Sequence, residues 1–519
     1  MQKEKRDSIK YKRTNGACAG KACGTGWEDR REKMEYLNAA KTGKKERPVK
    51  VLQFGEGNFL RGFVDYMIDI ANEKGQFDGD IVLIKPIEFG SLERFGRQDC
   101  QYTVSLRGIT DGKAEVKNRI ITSVADTADA YTEYEKYSAY AKLDTLRYIV
   151  SNTTEAGIVY DENDRFECTP PHTFPGKLTK FLYERFTYFN GARDKGLVML
   201  PVELIDDNGI HLKECVLKQI KNWNLGDDFK NWVEEACIFC STLVDRIITG
   251  YPKGEDEKLW EEWGYKDELI VTGEPFALWV IECPKDINGE FPLDAAGLPV
   301  IYTDNQKPYK QRKVRILNGA HTSFVLASFL CGNDIVLQSM EDEDIMKYIQ
   351  ATIYDEVIPT LTLPKKDLEE FAEAVITRFK NPYVKHALLS ISLNSVSKWR
   401  ARCMPSFLGY AEQFGKLPAH LTFSLAALMA FYTGNEIREG ALIGHRGEEE
   451  YKIMDDAAVL EFFAENSGKN AEEFAKAFLG REDFFGQDLN AVEGLTKAVA
   501  GYLSDIRELG MREAIRKNL

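Results

Sequence analysis

"VKVLQFGEGNFLRGFVDYMIDIANEKG", residues 49–75, joins a short apolar and β-branched run to a glycine turn, then to a stretch whose apolar residues recur with helical spacing. "DIVLIKP" (80–86) follows as a second buried-strand pattern. Strand, glycine turn, helix and strand in that order make a βαβ unit, whose two strands lie parallel with the helix packed across them. The pattern extends outward: "LRYIVSN" (146–152), "GLVMLPV" (196–202) and "ACIFCSTLVDRI" (236–247) read as strands, with helices around 172–190 and 211–223. After "EPFALWVIE" (274–282), the segment 284–310 holds Pro284, Pro292, Pro299 and Pro308 among Asp, Asn and Gly, which is loop chemistry. Beyond Lys310 helical spacing dominates, over 313–330, 341–357, 366–380, 420–433, 456–465 and 490–508.

The expected fold is therefore α/β, with a Rossmann-like dinucleotide-binding domain over 48–290 and a mostly α-helical substrate and catalytic domain over 291–519. Residues 1–47 are rich in Lys, Arg, Gly and Glu and lack apolar periodicity, so they read as a flexible extension, with order beginning at about Val49. A length of 519 residues suits two domains. The net charge of −14 opposes binding to nucleic acid or anionic lipid. The longest apolar runs, such as "LAALMAF" (425–431), fall short of the roughly 18–20 residues that span a bilayer, and the N-terminus has no apolar signal core. These features read as a cytoplasmic protein, monomeric or a small homo-oligomer. Among ten cysteines only the pairs Cys18/Cys23 and Cys237/Cys240 lie close in sequence; the second has metal-hook spacing, but with apolar spacers and no second hook it reads as buried thiols, and no metal site is expected.

Two motifs carry chemistry. Gly55-x-Gly57 lies between a strand and a helix, where bare backbone and helix N-terminal N–H groups admit a pyrophosphate. The third glycine of the usual fingerprint falls on Leu60, so a phosphate loop and a tight structural turn both remain open. The second strand ends at Lys85, with Glu88 three residues on, which leaves NAD and NADP both open. The second motif is "KVRILNGAHT" (313–322). On a helical wheel Lys313 and His321 share an arc with Leu317, Ala320 and Phe324, with Asn318 beside it. Three polar heads could converge on one small group; a lysine with its ammonium in water and a satisfied core histidine is the bland alternative.

With these motifs in hand, the chain resembles the long-chain polyol and mannitol dehydrogenase family from about Met34 to its C-terminus. The family's glycine turn, G-x-G-x-F-x-R, is matched by Gly55, Gly57, Phe59 and Arg61, and its signature K-x-x-x-x-N-x-x-H by Lys313, Asn318 and His321. "PPHTFPGKLT" (170–179), "PVELIDDNG" (201–209), "VDRI" (244–247) and "NPYVKHALLSISLNSVSK" (381–398) agree with it. "QFGEGNFLR" and "SNTTEAGI" (151–158) resemble most closely the branch that interconverts D-tagaturonate and D-altronate with NADH/NAD in galacturonate breakdown. The resemblance implies NAD as cofactor, with Asn58, Asn152 and Thr153 joining the glycine-turn residues at its site. Two positions depart from the polyol members: Glu203 or Leu204 stands in place of an asparagine, and Ser390 in place of an arginine. Those departures bear on the substrate and leave the chemistry intact.

Hydride transfer to a ketone builds negative charge on its oxygen, so the site needs a proton donor and hydrogen-bond donors aimed there. Lys313 is assigned as general acid/base, and Asn318 and His321 as the donors. A lysine does this near neutrality only if burial brings its pKa well down from about 10.4. Asp245, at a strand's C-terminal end, reads either as a ligand-facing group or as an ion pair with Arg246. A hexuronate or hexonate substrate carries a carboxylate and demands a cation. "SKWRARC" offers the family's substrate-binding Lys398 together with Arg400 and Arg402, for which a solvated surface face is the alternative. Glu203 completes the expected substrate contacts. The competing functions are a mannitol-type polyol 2-dehydrogenase, a fructuronate reductase and, from other classes, a metal-dependent sugar-acid dehydratase or a nucleotide-binding regulator.

Overall fold

A computed structural model describes residues 34–110, 112–154 and 156–519. Its centre is a six-stranded sheet in the order Val124–Asp129, Asp80–Lys85, Val49–Phe54, Tyr148–Ser151, Val198–Pro201 and Ile238–Phe239, every neighbouring pair parallel. Alternate residues serve opposite faces. Val51, Leu83, Val150 and Leu200 enter one hydrophobic cluster, while Leu52, Ile84, Ile149 and Met199 enter another. A sheet covered on both faces is why these strands are continuously apolar. Strand order reverses beside Val49–Phe54, whose neighbours are Asp80–Lys85 and Tyr148–Ser151, so the crevice at their C-terminal ends is a topological switch point.

Three corrections to the expectations have clear causes. "ACIFCSTLVDRI" is two strands: Ile238–Phe239 ends the parallel sheet, and Ser241–Asp245 pairs antiparallel with Leu278–Glu282. The break is held by the buried Asn208 side chain, which bonds Pro201 O, Glu203 O, Thr242 O and Thr242 N, and by Gly209, whose Cβ would lie 2.2 Å from Cys240 O. The expected junction at 290/291 falls too early. Phe291, Leu293, Ala296 and Val300 pack in the first domain's core, and Val300–Thr303 pairs with Leu278–Glu282. Of the expected loose extension, residues 34–47 are packed: Tyr36 bridges Lys266, and Leu37 is 1% exposed. Residues 1–33 lie outside the described residues.

The hairpin Tyr102–Thr110/Lys113–Ile121 gave no sequence signal, because its second strand, "KAEVKNRII", is charged and largely exposed. It forms a four-stranded sheet with Val271–Gly273 and Ile248–Gly250. The C-terminal part is helical around one core, with Ala419–Phe431 buried on all sides and a small sheet of Ile437–Arg438, Ala441–Arg446 and Glu449–Ile453 on it. Among the described residues no helix is long and apolar enough to cross a membrane.

Candidate active site

The glycine turn opens at the switch point. Gly55 has φ +117°, a conformation that favours glycine, and a Cβ there would come within 3.4 Å of Asn152 O. Gly57 caps the following helix, and a Cβ on it would meet nothing within 4 Å, leaving open backbone where a pyrophosphate would lie. The third glycine is present but displaced. At Gly62 a Cβ would strike Ile248 Cδ1 at 2.7 Å, so this residue permits the close helix-to-strand packing that the spacing at Leu60 had hidden. A cleft of about 390 Å³, lined by Asn58, Phe59, Asn152, Leu204, Asp245 and Lys313 among others, runs from the turn to the lysine helix. This cradle fits a dinucleotide.

Arg61, expected at the cofactor, points inward instead. Its guanidinium bonds Glu56 O at 3.0 Å, Asn58 Oδ1 at 2.8 Å and Leu269 O, and it lies over Tyr102, bracing the turn from behind. Lys85 is likewise consumed: Nζ donates to the carbonyls of Ile87, Glu88 and Phe89 and pairs with Asp129 at 3.0 Å. Glu203 is 2% exposed, and its carboxylate accepts from Ser151 Oγ and from Thr153 N and Oγ1. The Glu203 and Thr153 side chains thus tie the loops after two adjacent strands together.

The lysine helix is composite, with α-helix over Lys307–Arg312, a π-helical turn over Lys313–Asn318 and α-helix over Gly319–Leu330. The wider π turn shortens the rise between Lys313 and His321 relative to a straight α-helix and changes the angle between them; such turns recur at functional sites. Lys313 Nζ donates to Val244 O at 2.9 Å and lies 3.9 Å from Asp245 Oδ1. Burial lowers its pKa, while Asp245 raises it and Arg378 lowers it. Asn318 lines a second cleft of about 680 Å³ that also meets Lys313, Leu204 and Val244. His321 stacks on Phe379 at 4.2 Å with its Nε2 buried and without a partner. Burial, then His386, Arg378, Arg402 and Lys398, push its pKa well below the ordinary value, so the ring is a neutral imidazole.

Asp245 does not pair with Arg246, whose guanidinium bonds the carbonyls of Gly62, Pro275 and Phe276. Its partner is Arg378, which grips both Asp245 oxygens at 3.0 Å and both oxygens of buried Glu274 at 2.8 and 2.9 Å. Arg378 joins the helical part to the α/β part beside Lys313, and no local signal in "AVITRFKNPY" announces it. Lys398 donates to Ile391 O at 2.9 Å, and its neighbour one turn on, Arg402, reaches Thr322 Oγ1 at 3.4 Å. Arg400 faces elsewhere: it is exposed, with its guanidinium against Gly486. Among the described residues no group of three or more His, Cys, Asp or Glu could hold a metal ion.

A dinucleotide cradle opening onto a desolvated lysine defines an alcohol dehydrogenase built on a Rossmann domain. Two family models match, the mannitol dehydrogenase Rossmann domain over residues 49–295 and the mannitol dehydrogenase C-terminal domain over residues 305–507. The chain belongs to the mannitol dehydrogenase family. It is 44% identical to proteins named altronate oxidoreductase from Escherichia coli O7:K1 and from Shigella flexneri, over 93% of this chain and 99% of each of theirs. Among solved structures, Pseudomonas fluorescens mannitol 2-dehydrogenase, in a ternary complex with NAD and D-mannitol, aligns with TM-score 0.64 at 22% identity, over 93% of this chain and 99% of the other. A substrate-free D-sorbitol dehydrogenase aligns with TM-score 0.73 at 21% identity, over 92% and 100%. The family resemblance carried by the glycine turn and the lysine signature is borne out, and the protein is a polyol or sugar-acid dehydrogenase using a nicotinamide dinucleotide.

Proposed function

We propose that the protein interconverts D-tagaturonate and D-altronate with NADH/NAD, as a cytoplasmic enzyme of galacturonate breakdown. The observation that carries the chemistry is the seat of Lys313, whose ammonium sits beside Val244 O and Asp245 where the two clefts meet. The glycine turn at Gly55 and Gly57 would hold a nicotinamide dinucleotide, which when bound would supply or accept the hydride. In the reductive direction Lys313 donates its proton to the oxygen that becomes the alcohol, and in the oxidative direction the neutral amine takes it back. Asn318 donates from its amide and His321 from Nε2–H, the tautomer in which the buried orphan nitrogen becomes a donor; both stabilise the developing alkoxide. Asp245, held in place by Arg378, keeps the ammonium oriented without lying close enough to lock it. The 44% identity to altronate oxidoreductases supports the substrate.

NAD over NADP is supported by the engagement of Lys85, whose ammonium is already spent on its own loop and on Asp129 and is not free to meet a 2′-phosphate, and by Glu88, which is exposed on the same loop. The test is the loss of NADH absorbance on adding D-tagaturonate, set against NAD reduction by altronate, mannonate and mannitol. Faster turnover of mannitol than of altronate would return the enzyme to the polyol branch.

A further inference from the structure

Helix Ser395–Arg402 meets the lysine helix end-on, close enough that a Cβ on Gly319 would lie 3.3 Å from Arg402 O. On an eight-residue helix, Lys398 and Arg402 stand four residues apart and share one face, while Arg400 points toward Gly486. Arg402 Nη1 reaches Thr322 Oγ1 at 3.4 Å, on the residue next to His321 and one turn from Asn318. That long contact to a hydroxyl already bonded to Asn318 O is a weak one for a guanidinium. Among the described residues neither Lys398 nor Arg402 has a carboxylate within ion-pair distance. Asp455 is near Lys398, but its carboxylate accepts from Tyr432 OH at 2.6 Å and from Val396 N.

The contrast with Arg378 is instructive. Arg378 is more deeply buried and has two carboxylates gripping it, whereas Lys398 and Arg402 are partly buried and have none. Burial lowers the pKa of both, and Arg402 lowers that of Lys398 further. Two adjacent desolvated cations repel each other and are costly to keep unless an anion joins them. Both cations lie near enough to His321 to lower its pKa, which sets them beside the ring proposed to hold the reacting oxygen.

We propose that Arg402, together with Lys398, binds the carboxylate of the sugar-acid substrate, and that Arg402 makes the site select a hexuronate over the corresponding uncharged ketose. The assignment rests on the proposed function, since a neutral substrate has no use for it. A guanidinium presents a planar fork that matches a carboxylate, and the bond is charge-assisted in a partly desolvated site. Neither polar carbinol group at the end of a ketose could replace it.

The test compares the whole enzyme with its Arg402→Met and Arg402→Lys variants on two substrates, D-tagaturonate and the uncharged D-tagatose, with NADH affinity and thermal melting measured alongside. Arg402→Met should lose about 10- to 100-fold in kcat/KM for tagaturonate, mostly through KM, while its rate on tagatose stays within a few-fold and NADH binding is unchanged. Arg402→Lys should recover part of the loss. Equal losses on both substrates, or no loss on tagaturonate, would overturn the assignment. If the wild type ignores tagaturonate but turns over another hexuronate with the same dependence on Arg402, the carboxylate role stands and the proposed substrate falls. If the wild type prefers tagatose, both fall.

Discussion

Replacing Lys313 by Met should separate catalysis from stability, because the structure makes the two effects opposite in sign. If Lys313 moves the proton, Lys313→Met lowers kcat by about 10² to 10⁴, equivalent to about 2.7 to 5.5 kcal/mol of lost transition-state stabilisation. The fold should not suffer. Both oxygens of Asp245 are already held by Arg378 at 3.0 Å and the Lys313 contact to Asp245 is a long 3.9 Å, so no buried carboxylate is orphaned when the ammonium goes, and Val244, whose carbonyl loses its 2.9 Å bond, lines the open clefts where water can replace the donor. Burial holds the folded pKa of Lys313 below the ordinary 10.5, so the unfolded chain binds this proton more tightly. Between the two values stability rises with pH, and below both the buried charge is a constant cost. Met removes that cost, and the variant should melt at the wild-type temperature or above it near neutrality. The assay that decides is the pH dependence of altronate oxidation: the wild-type rate climbs as Lys313 loses its proton, beginning below 10.5, and the variant lacks that limb. A variant with near-wild-type kcat and the same pH profile would falsify the catalytic role, and a sharp fall in melting temperature would show that the lysine is instead a structural tie.

Arg378→Met should do the reverse, leaving Asp245 and Glu274 as uncompensated buried carboxylates and costing about 3–5 kcal/mol of stability; denaturant titrations should show a smaller loss at mildly acid pH, where burial has already raised the pKa of Glu274 and protonation relieves it. In cofactor choice, the wild type should have the higher kcat/KM with NADH, and Glu88→Ala should narrow the gap to NADPH; a wild type that prefers NADPH refutes the reading of Lys85 as an internal brace. Exhaustive treatment with EDTA should leave full activity, and activity lost and then restored by zinc or manganese would replace the lysine chemistry with a metal-assisted one. Shortening the chain to begin at residue 48 should lower the melting temperature relative to a chain beginning at Met34, because Leu37 and the Tyr36–Lys266 bridge are packed on the first domain.

Where structure is set by local periodicity and backbone freedom, the sequence was sufficient. Continuous apolar runs around a glycine turn announced the parallel sheet, and the spacing of Lys313, Asn318 and His321 marked the helix that carries the proposed proton donor. The charged strand Lys113–Ile121 escaped, since a strand that buries almost nothing has no apolar alternation to read. The partners of charged groups also escaped. Arg378 is 133 residues from Asp245, Arg61 turns away from the cofactor toward Leu269, and Lys85 is spent on three carbonyls of its own loop and on Asp129. A cation's position along the chain says only that it is present. Whether it meets a carboxylate, a carbonyl or an open cleft is decided by which elements pack around it, and the desolvation that makes such a group useful exists only once they have packed.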